Sequence, residues 1–330
     1  MRNSFLLFIG FFIATSFFSC ETSVKKEYRS VSKTSLEEKI PEFNADSSWF
    51  FVNKQVGFGS RVPNTQPHAE CKEFLKEKLT NYGAQVIIQT AEVTIFNGQK
   101  LKLSNIIAQF YPERVNRILL LAHWDTRPFS DQDTVDKDKP IDGASDGASG
   151  VGVLLEVARH FRKDTIPGNK GIDIIFFDGE DYGQPDESRF RQADDSYCLG
   201  AQYWAANPHV GNYHATFGIL LDMVGATGAT FYKEGNSEQV APDLLKKIWN
   251  KANKLGYSDF FRFESARNIT DDHLYIIRKT NIPVIDIIHL DEQTATGFPV
   301  WWHTQKDNME IIDKRTLKAV GQTVLGVLYE

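Results

Sequence analysis

The chain has 330 residues and a formal net charge of −6, with no basic run anywhere, so it lacks the electrostatic footing that a nucleic-acid partner needs. At 42% hydrophobic and 12% aromatic residues it can bury the core of one large α/β domain or two smaller ones. Its three cysteines, Cys20, Cys71 and Cys198, are too few and too scattered for a zinc finger or a disulfide framework.

Residues 1–19 carry Arg2, an apolar run from Phe5 to Phe18, and Ser19. This is the pattern of a secretory signal, too short for a comfortable membrane span. The end of it, Phe17-Phe18-Ser19-Cys20, resembles the lipobox of bacterial lipoproteins, with Phe where Leu is usual. Cleavage before Cys20 leaves a lipid-modified N-terminus; the alternative is an ordinary exported protein cut near the same point. Either way the mature protein is expected in the periplasm or cell envelope, touching a membrane only through that lipid. Residues 20–40 are polar and aperiodic and read as a tether. One catalytic domain is expected over 41–330.

Within that domain, Ala69–Leu79 carries a helical face of Phe74, Leu75 and Leu79. Val86–Phe96 and Leu101–Tyr111 read as strands joined at Asn97-Gly98, a strong hairpin turn. Arg117–Ala122 is a buried-strand candidate that ends at His123-Trp124-Asp125. A polar loop over 127–141 leads to the glycine-rich DGASDGASG of 142–150 and a helix over Val151–Phe161. Ile172–Phe177 is apolar at five of six positions, as a strand buried on both faces should be. Gly179, Glu180 and Asp181 follow it. A polar loop over 181–198 and a short helix over Leu199–Ala206 precede a fourth strand, Phe217–Leu221, closing on Asp222. Helices over Pro242–Leu255 and Asp271–Lys279, a fifth strand over Ile282–Ile288 and a helix over Asp313–Leu328 complete the chain. Strands alternating with helices predict an α/β domain. Its central sheet is mostly parallel, the N-terminal hairpin lies at an antiparallel edge, and helices cover both faces.

Polar groups then stand at the carboxyl ends of successive strands, where open α/β sheets bind ligands. They are His123 and Asp125, Glu180 and Asp181, and Asp222, joined by Asp146 in the glycine-rich loop and His303 in Val300-Trp301-Trp302-His303-Thr304. Each alone reads as a cap, a turn residue or a satisfied histidine. Together they form a cysteine-free nitrogen and oxygen set suited to catalytic zinc with one open position.

HWD, SDGASG, FFDGED, LLDMVGA and the late WHT resemble the zinc-dependent aminopeptidase superfamily and, within it, the metal-dependent glutaminyl cyclase (glutaminyl-peptide cyclotransferase) family. Asp271-Asp272-His273 and Phe298-Pro-Val-Trp-Trp302-His303-Thr-x-x-Asp307-Asn308 favour the cyclases over their peptidase cousins. The resemblance implies one zinc on Asp146, Asp181 and His303, with Glu180 as acid/base and Asp222 and Asp271 as its partner carboxylates. It implies Trp302, Phe298 and Ile269 in the substrate pocket, and peptides or proteins with N-terminal glutamine as substrates.

There are departures from the family pattern. Asp181 stands where the animal enzymes have Glu, the Trp expected after the acid pair is absent, and the animal enzymes' disulfide cysteines are Ala122 and Val151 here. His123 is retained although a one-zinc site does not require it. With Asp222 as a ligand, Asp146 bridging and Asp125 orienting His123, the same residues would make a two-zinc aminopeptidase. In the cyclase reading Asp222 instead bonds to Asp271. A non-catalytic envelope binding module is the third reading, and the intact acids and histidine speak against it.

Overall fold

The structure is a computed structural model that describes residues 40–162 and 166–330. Residues 1–39, with the secretory signal, Cys20 and nearly all of the tether, lie outside the described residues. The first described helix, α1 (Ala45–Val56), was not expected from the sequence, although its signal is there: the Asn44 side chain accepts a hydrogen bond from the Ser47 amide and caps it. Helix α2 (Gln66–Asn81) follows, capped by Thr65 and with Pro67 in its first turn. Strands β1 (Gln85–Thr94) and β2 (Lys100–Phe110) form the expected antiparallel hairpin, with Thr94 opposite Lys100.

Next come β3 (Asn116–His123), α3 (Ala148–Phe161), β4 (Lys170–Phe177), α4 (Leu199–Ala206) and β5 (Phe217–Asp222). Then follow β6 (Phe231–Lys233), α5 (Gly235–Val240), α6 (Pro242–Lys254), β7 (Phe261–Ser265), α7 (Asp272–Thr280), β8 (Val284–Ile288) and α8 (Lys314–Leu328). Six strands make one sheet in the order β1-β2-β4-β3-β5-β8. β3, β4, β5 and β8 run parallel, and β2 pairs antiparallel with both β1 and β4, so the hairpin forms the antiparallel edge. The described residues form one compact unit.

The side-chain alternation of β4 shows how the two faces are covered. Ile172, Ile174 and Phe176 pack into a core shared with α1, α2, α3 and α8, while Ile175 and Phe177 pack with α4 and α7 on the other face. Each such fully buried side chain contributes roughly 1.5–3 kcal/mol. The one polar residue of the run, Asp173, is ion-paired to Arg117, whose Nη2 donates to Oδ1 at 2.6 Å. Ala122 and Val151, at the positions of the animal enzymes' disulfide, are fully buried core residues.

Helix α3 starts at Ala148, three residues before the expected Val151, and lies close to its neighbours because its first turns are small. A Cβ on Gly150 would come within 2.3 Å of the Leu221 carbonyl of β5, and one on Gly152 within 2.6 Å of Val52 in α1. The small parallel sheet of β6 and β7 and the short α5 were not expected either. Beyond Phe261 the residues of β7 are all exposed, although Phe261-Arg262-Phe263-Glu264 alternates apolar with charged residues.

Candidate active site

Because β3, β4 and β5 are parallel neighbours, their carboxyl ends bring His123, the Glu180-Asp181 pair and Asp222 to one edge of the sheet. The loop before α3 adds Asp146, and the segment after β8 adds His303. Asp146, Glu180, Asp181, Asp222, Asp271 and His303 line a cavity of about 340 Å³, whose wall includes Ile269, Phe298 and Trp302, while His123 is buried outside that lining.

Asp146, Asp181 and His303 are buried and offer ligand atoms that all lie within 4.8 Å of one another. His303 Nε2 stands 3.0 Å from Asp181 Oδ1 and 3.8 Å from Asp146 Oδ2. A tetrahedral zinc with arms of about 2.0–2.2 Å separates its ligands by roughly 3.3–3.6 Å, which these distances bracket. Oδ2 of Asp146 and Oδ2 of Asp181 are buried without a hydrogen-bond partner. Such an oxygen costs free energy unless something cationic meets it, so this donor set fits a zinc ion.

A second set is also present. His123, Asp146 and Asp222 converge in the same way, with His123 Nε2 at 3.0 Å from Asp146 Oδ1 and 3.2 Å from Asp222 Oδ1. Here the structure departs from the expected contact between Asp222 and Asp271. Asp222 meets the imidazole instead, and Asp271 Oδ2 has no hydrogen-bond partner. The physical reason is that a ring nitrogen can donate to a carboxylate, whereas two carboxylates bond only through a shared proton.

Two further acids hold the ligand loops from below. Asp125 stands 3.6 Å from His123 Nδ1, and its oxygens accept the backbone amides of Glu180 and Asp181 at 3.1 and 3.2 Å. Asp307 does the same for the glycine-rich loop, accepting the amides of Ser145 and Asp146 at 2.7 and 3.0 Å. That loop needs Gly147, which has φ +87° and no room for a side chain. Its Cβ would lie 2.8 Å from His123 Cε1 and 2.9 Å from the Asp125 carbonyl oxygen. Gly147→Ala is therefore expected to destabilise the fold by about 1–3 kcal/mol and to displace Asp146. Thermal melting together with zinc content checks this, and a variant with wild-type values for both contradicts it.

Glu180 lies over Cys198, whose thiol donates to Oε1 at 3.2 Å, and both offer atoms within 4.8 Å of Asp271. Burial raises the Glu180 pKa well above the usual carboxylate range, and the charges of Asp271 and Asp181 add to this against the opposing His123 imidazole. Asp271 caps α7 by accepting the Asp272 amide, and burial followed by the Asp222 charge pushes its pKa up to about 6. Behind it, Asp272 and Asp286 are fully buried with no hydrogen-bond partner for either oxygen, although His273 Nδ1 lies 3.7 Å from Asp286 Oδ2, and burial raises both well above the ordinary range. Burial without a hydrogen-bond partner disfavours the charged form of each carboxyl.

The aromatic residues divide into wall and core. Trp302 stacks on His303 at 3.6 Å between centroids and on Phe298 at 4.4 Å, and both line the cavity. Trp301 is core, 8% exposed and packed with Ile288 and Leu290. In place of the tryptophan missing after the acid pair, Tyr182 packs against the buried cluster of Ile95, Leu101 and Leu103, while Tyr197 reaches the cavity. Sequence reasoning passed over Cys198, Tyr197 and Asp286, since none sits in a motif or at the end of an evident strand.

The sequence pattern of peptidase family M28 matches residues 105–328. A solved glutaminyl cyclase from Bacteroides thetaiotaomicron, bound to N-acetylhistamine, is 52% identical, with a TM-score of 0.85 over 88% of this chain and 99% of that one. A Zn-dependent exopeptidase from Parabacteroides distasonis is likewise 52% identical, with a TM-score of 0.86 and the same coverage. The glutaminyl-peptide cyclotransferase of Bothrops jararaca is 29% identical over 65% of this chain, a match that spans 61% of the snake protein's length. The chain belongs to peptidase family M28, in the branch that it shares with the Bacteroides glutaminyl cyclase.

Proposed function

We propose that this protein is a zinc enzyme that cyclises the N-terminal glutamine of peptides and proteins to pyroglutamate with release of ammonia. The observation that carries this reading is the placement of the half-buried Glu180 beside the buried Asp271 on a cavity that the Phe298–Trp302 stack also lines. A hydrolase needs a base for water. A cyclase needs one group that takes a proton from an amine and returns it to a leaving nitrogen, in a pocket closed around one side chain. The likeness to a named bacterial glutaminyl cyclase supports the same choice.

In this reaction the α-amine attacks its own side-chain amide carbonyl, so the protein acts mainly by holding the folded-back conformer. Ile269, Phe298 and Trp302 pack around the side chain and exclude water from it. Glu180 takes the proton from the attacking amine and delivers it to the departing nitrogen, which leaves as ammonia. Burial and the neighbouring charge of Asp271 keep that carboxylate basic. A single zinc held by Asp146, Asp181 and His303 supplies Lewis-acid stabilisation of the charge that develops on the amide oxygen. Residues 1–19 support export to the periplasm or cell envelope, with attachment to a membrane through a lipid on Cys20.

A second reading rests on the convergence of His123, Asp146 and Asp222, which would hold another ion in a two-zinc aminopeptidase. Metal analysis of the dialysed protein separates the two. The cyclase reading expects one zinc per chain, and two tightly held zincs would move the assignment to the aminopeptidase.

A further inference from the structure

Next to the ligands stands an ion pair that the mechanism above leaves without a role. Arg127 is fully buried in the loop that follows β3. Its Nε and Nη2 donate to the two oxygens of Asp131 at 2.6 and 2.7 Å, a fork on a carboxylate. Its remaining nitrogen, Nη1, donates to the main-chain carbonyls of Asp181 at 3.1 Å and Gly183 at 3.3 Å, and lies 3.5 Å from Asp181 Oδ1. On the far side of the pair, Asp131 Oδ1 is 3.5 Å from His303 Nδ1. One guanidinium and one carboxylate thus approach two residues of the metal set, Asp181 and His303, that lie far apart in the sequence.

The surroundings keep the pair in place. The Gln132 amide donates to the His303 carbonyl at 3.3 Å, and the Gln305 amide to Asp133 Oδ2 at 3.0 Å, which ties the Asp131 loop to the His303 segment. The Tyr197 ring lies 5.3 Å from the guanidinium carbon, over Gly183, where any Cβ would come within 2.1 Å of the ring. Burying an ion pair costs desolvation that apolar packing would avoid. A pair kept here needs a reason beyond filling space, and its contacts supply one.

We propose that Arg127 and Asp131 are positioning residues that fix the orientation of two zinc ligands at once. Asp131, 3.5 Å from His303 Nδ1, favours the tautomer with the proton on that nitrogen and so leaves the Nε2 lone pair aimed at Asp181 and Asp146. Arg127 holds Asp181 by its carbonyl while balancing the charge of its carboxylate. The proposal rests on the ligand set Asp146, Asp181 and His303 given above. It is indifferent to whether the product is pyroglutamate or free glutamine, because both readings keep these three ligands.

The test uses Asp131→Asn, which keeps the shape but offers one oxygen only, and Arg127→Lys, which keeps the charge but loses the fork. In each, the zinc dissociation constant from competition with a chelator is expected to rise by about 10–100-fold. Turnover at limiting zinc should fall and return towards the wild-type value when zinc is added in excess. The visible absorption of the cobalt-substituted proteins should differ from wild type. Unchanged zinc affinity and an unchanged cobalt spectrum in both variants overturn the proposal. So does a loss of activity that excess zinc fails to restore although the metal is fully bound. A wild-type protein that binds no zinc removes the ligand set itself, and the clamp with it.

Discussion

Replacing Glu180 with Gln is expected to lower kcat by about 10²–10⁴-fold, the usual contribution of a positioned acid/base, while the protein keeps its zinc. The substitution preserves shape and one acceptor oxygen, so the thiol of Cys198 keeps a partner at Oε1. It removes the capacity to take a proton. The metal set does not include Glu180, and the amide of that residue stays bound to Asp125. Steady-state rates and zinc content measured on one preparation check both halves. A Glu180→Gln enzyme that turns over like wild type would sink the role assigned to this side chain.

Asp181→Ala should fail differently, losing zinc and activity together. Asp181 Oδ1 is the nearest acid oxygen to His303 Nε2, and no neighbouring side chain replaces it. Removing it also leaves Arg127 Nη1 without the carboxylate 3.5 Å away, so a cationic group then faces the emptied corner. Zinc affinity is expected to drop by more than the roughly 10–100-fold that loss of an outer hydrogen-bond partner costs. Chelator competition measures it, and a fully loaded, active variant would refute ligation by Asp181. The contrast with Glu180→Gln, inactive yet metalled, separates the two neighbouring acids.

The strands that build the site were legible because they are buried runs of Ile, Leu and Phe, whose pattern depends on the core and not on distant partners. Their ends then located His123, Glu180, Asp181 and Asp222 by topology alone. The residues that fell outside this logic are those whose meaning is a tertiary contact. Asp131 is one of several acids in a polar loop, and only folding brings it to His303, 172 residues later. Asp307 carries no sign that it would hold the Asp146 loop. The expected contact between Asp222 and Asp271 failed for a related reason: a competing imidazole 3.2 Å from Asp222 is invisible in the spacing of acids. β7 is only five residues long, and sequence reasoning passed over its brief Phe-Arg-Phe-Glu alternation.

The central claim is the reaction itself, and the most direct measurement is the mass of the product. Purified protein lacking residues 1–20, supplied with zinc and a peptide that begins with glutamine, should yield the same peptide lighter by one ammonia, faster than the uncatalysed control. Release of free glutamine, with the peptide shortened by one residue, would contradict the cyclase and assign His123 and Asp222 to a second zinc. An unchanged peptide would contradict both enzymatic readings.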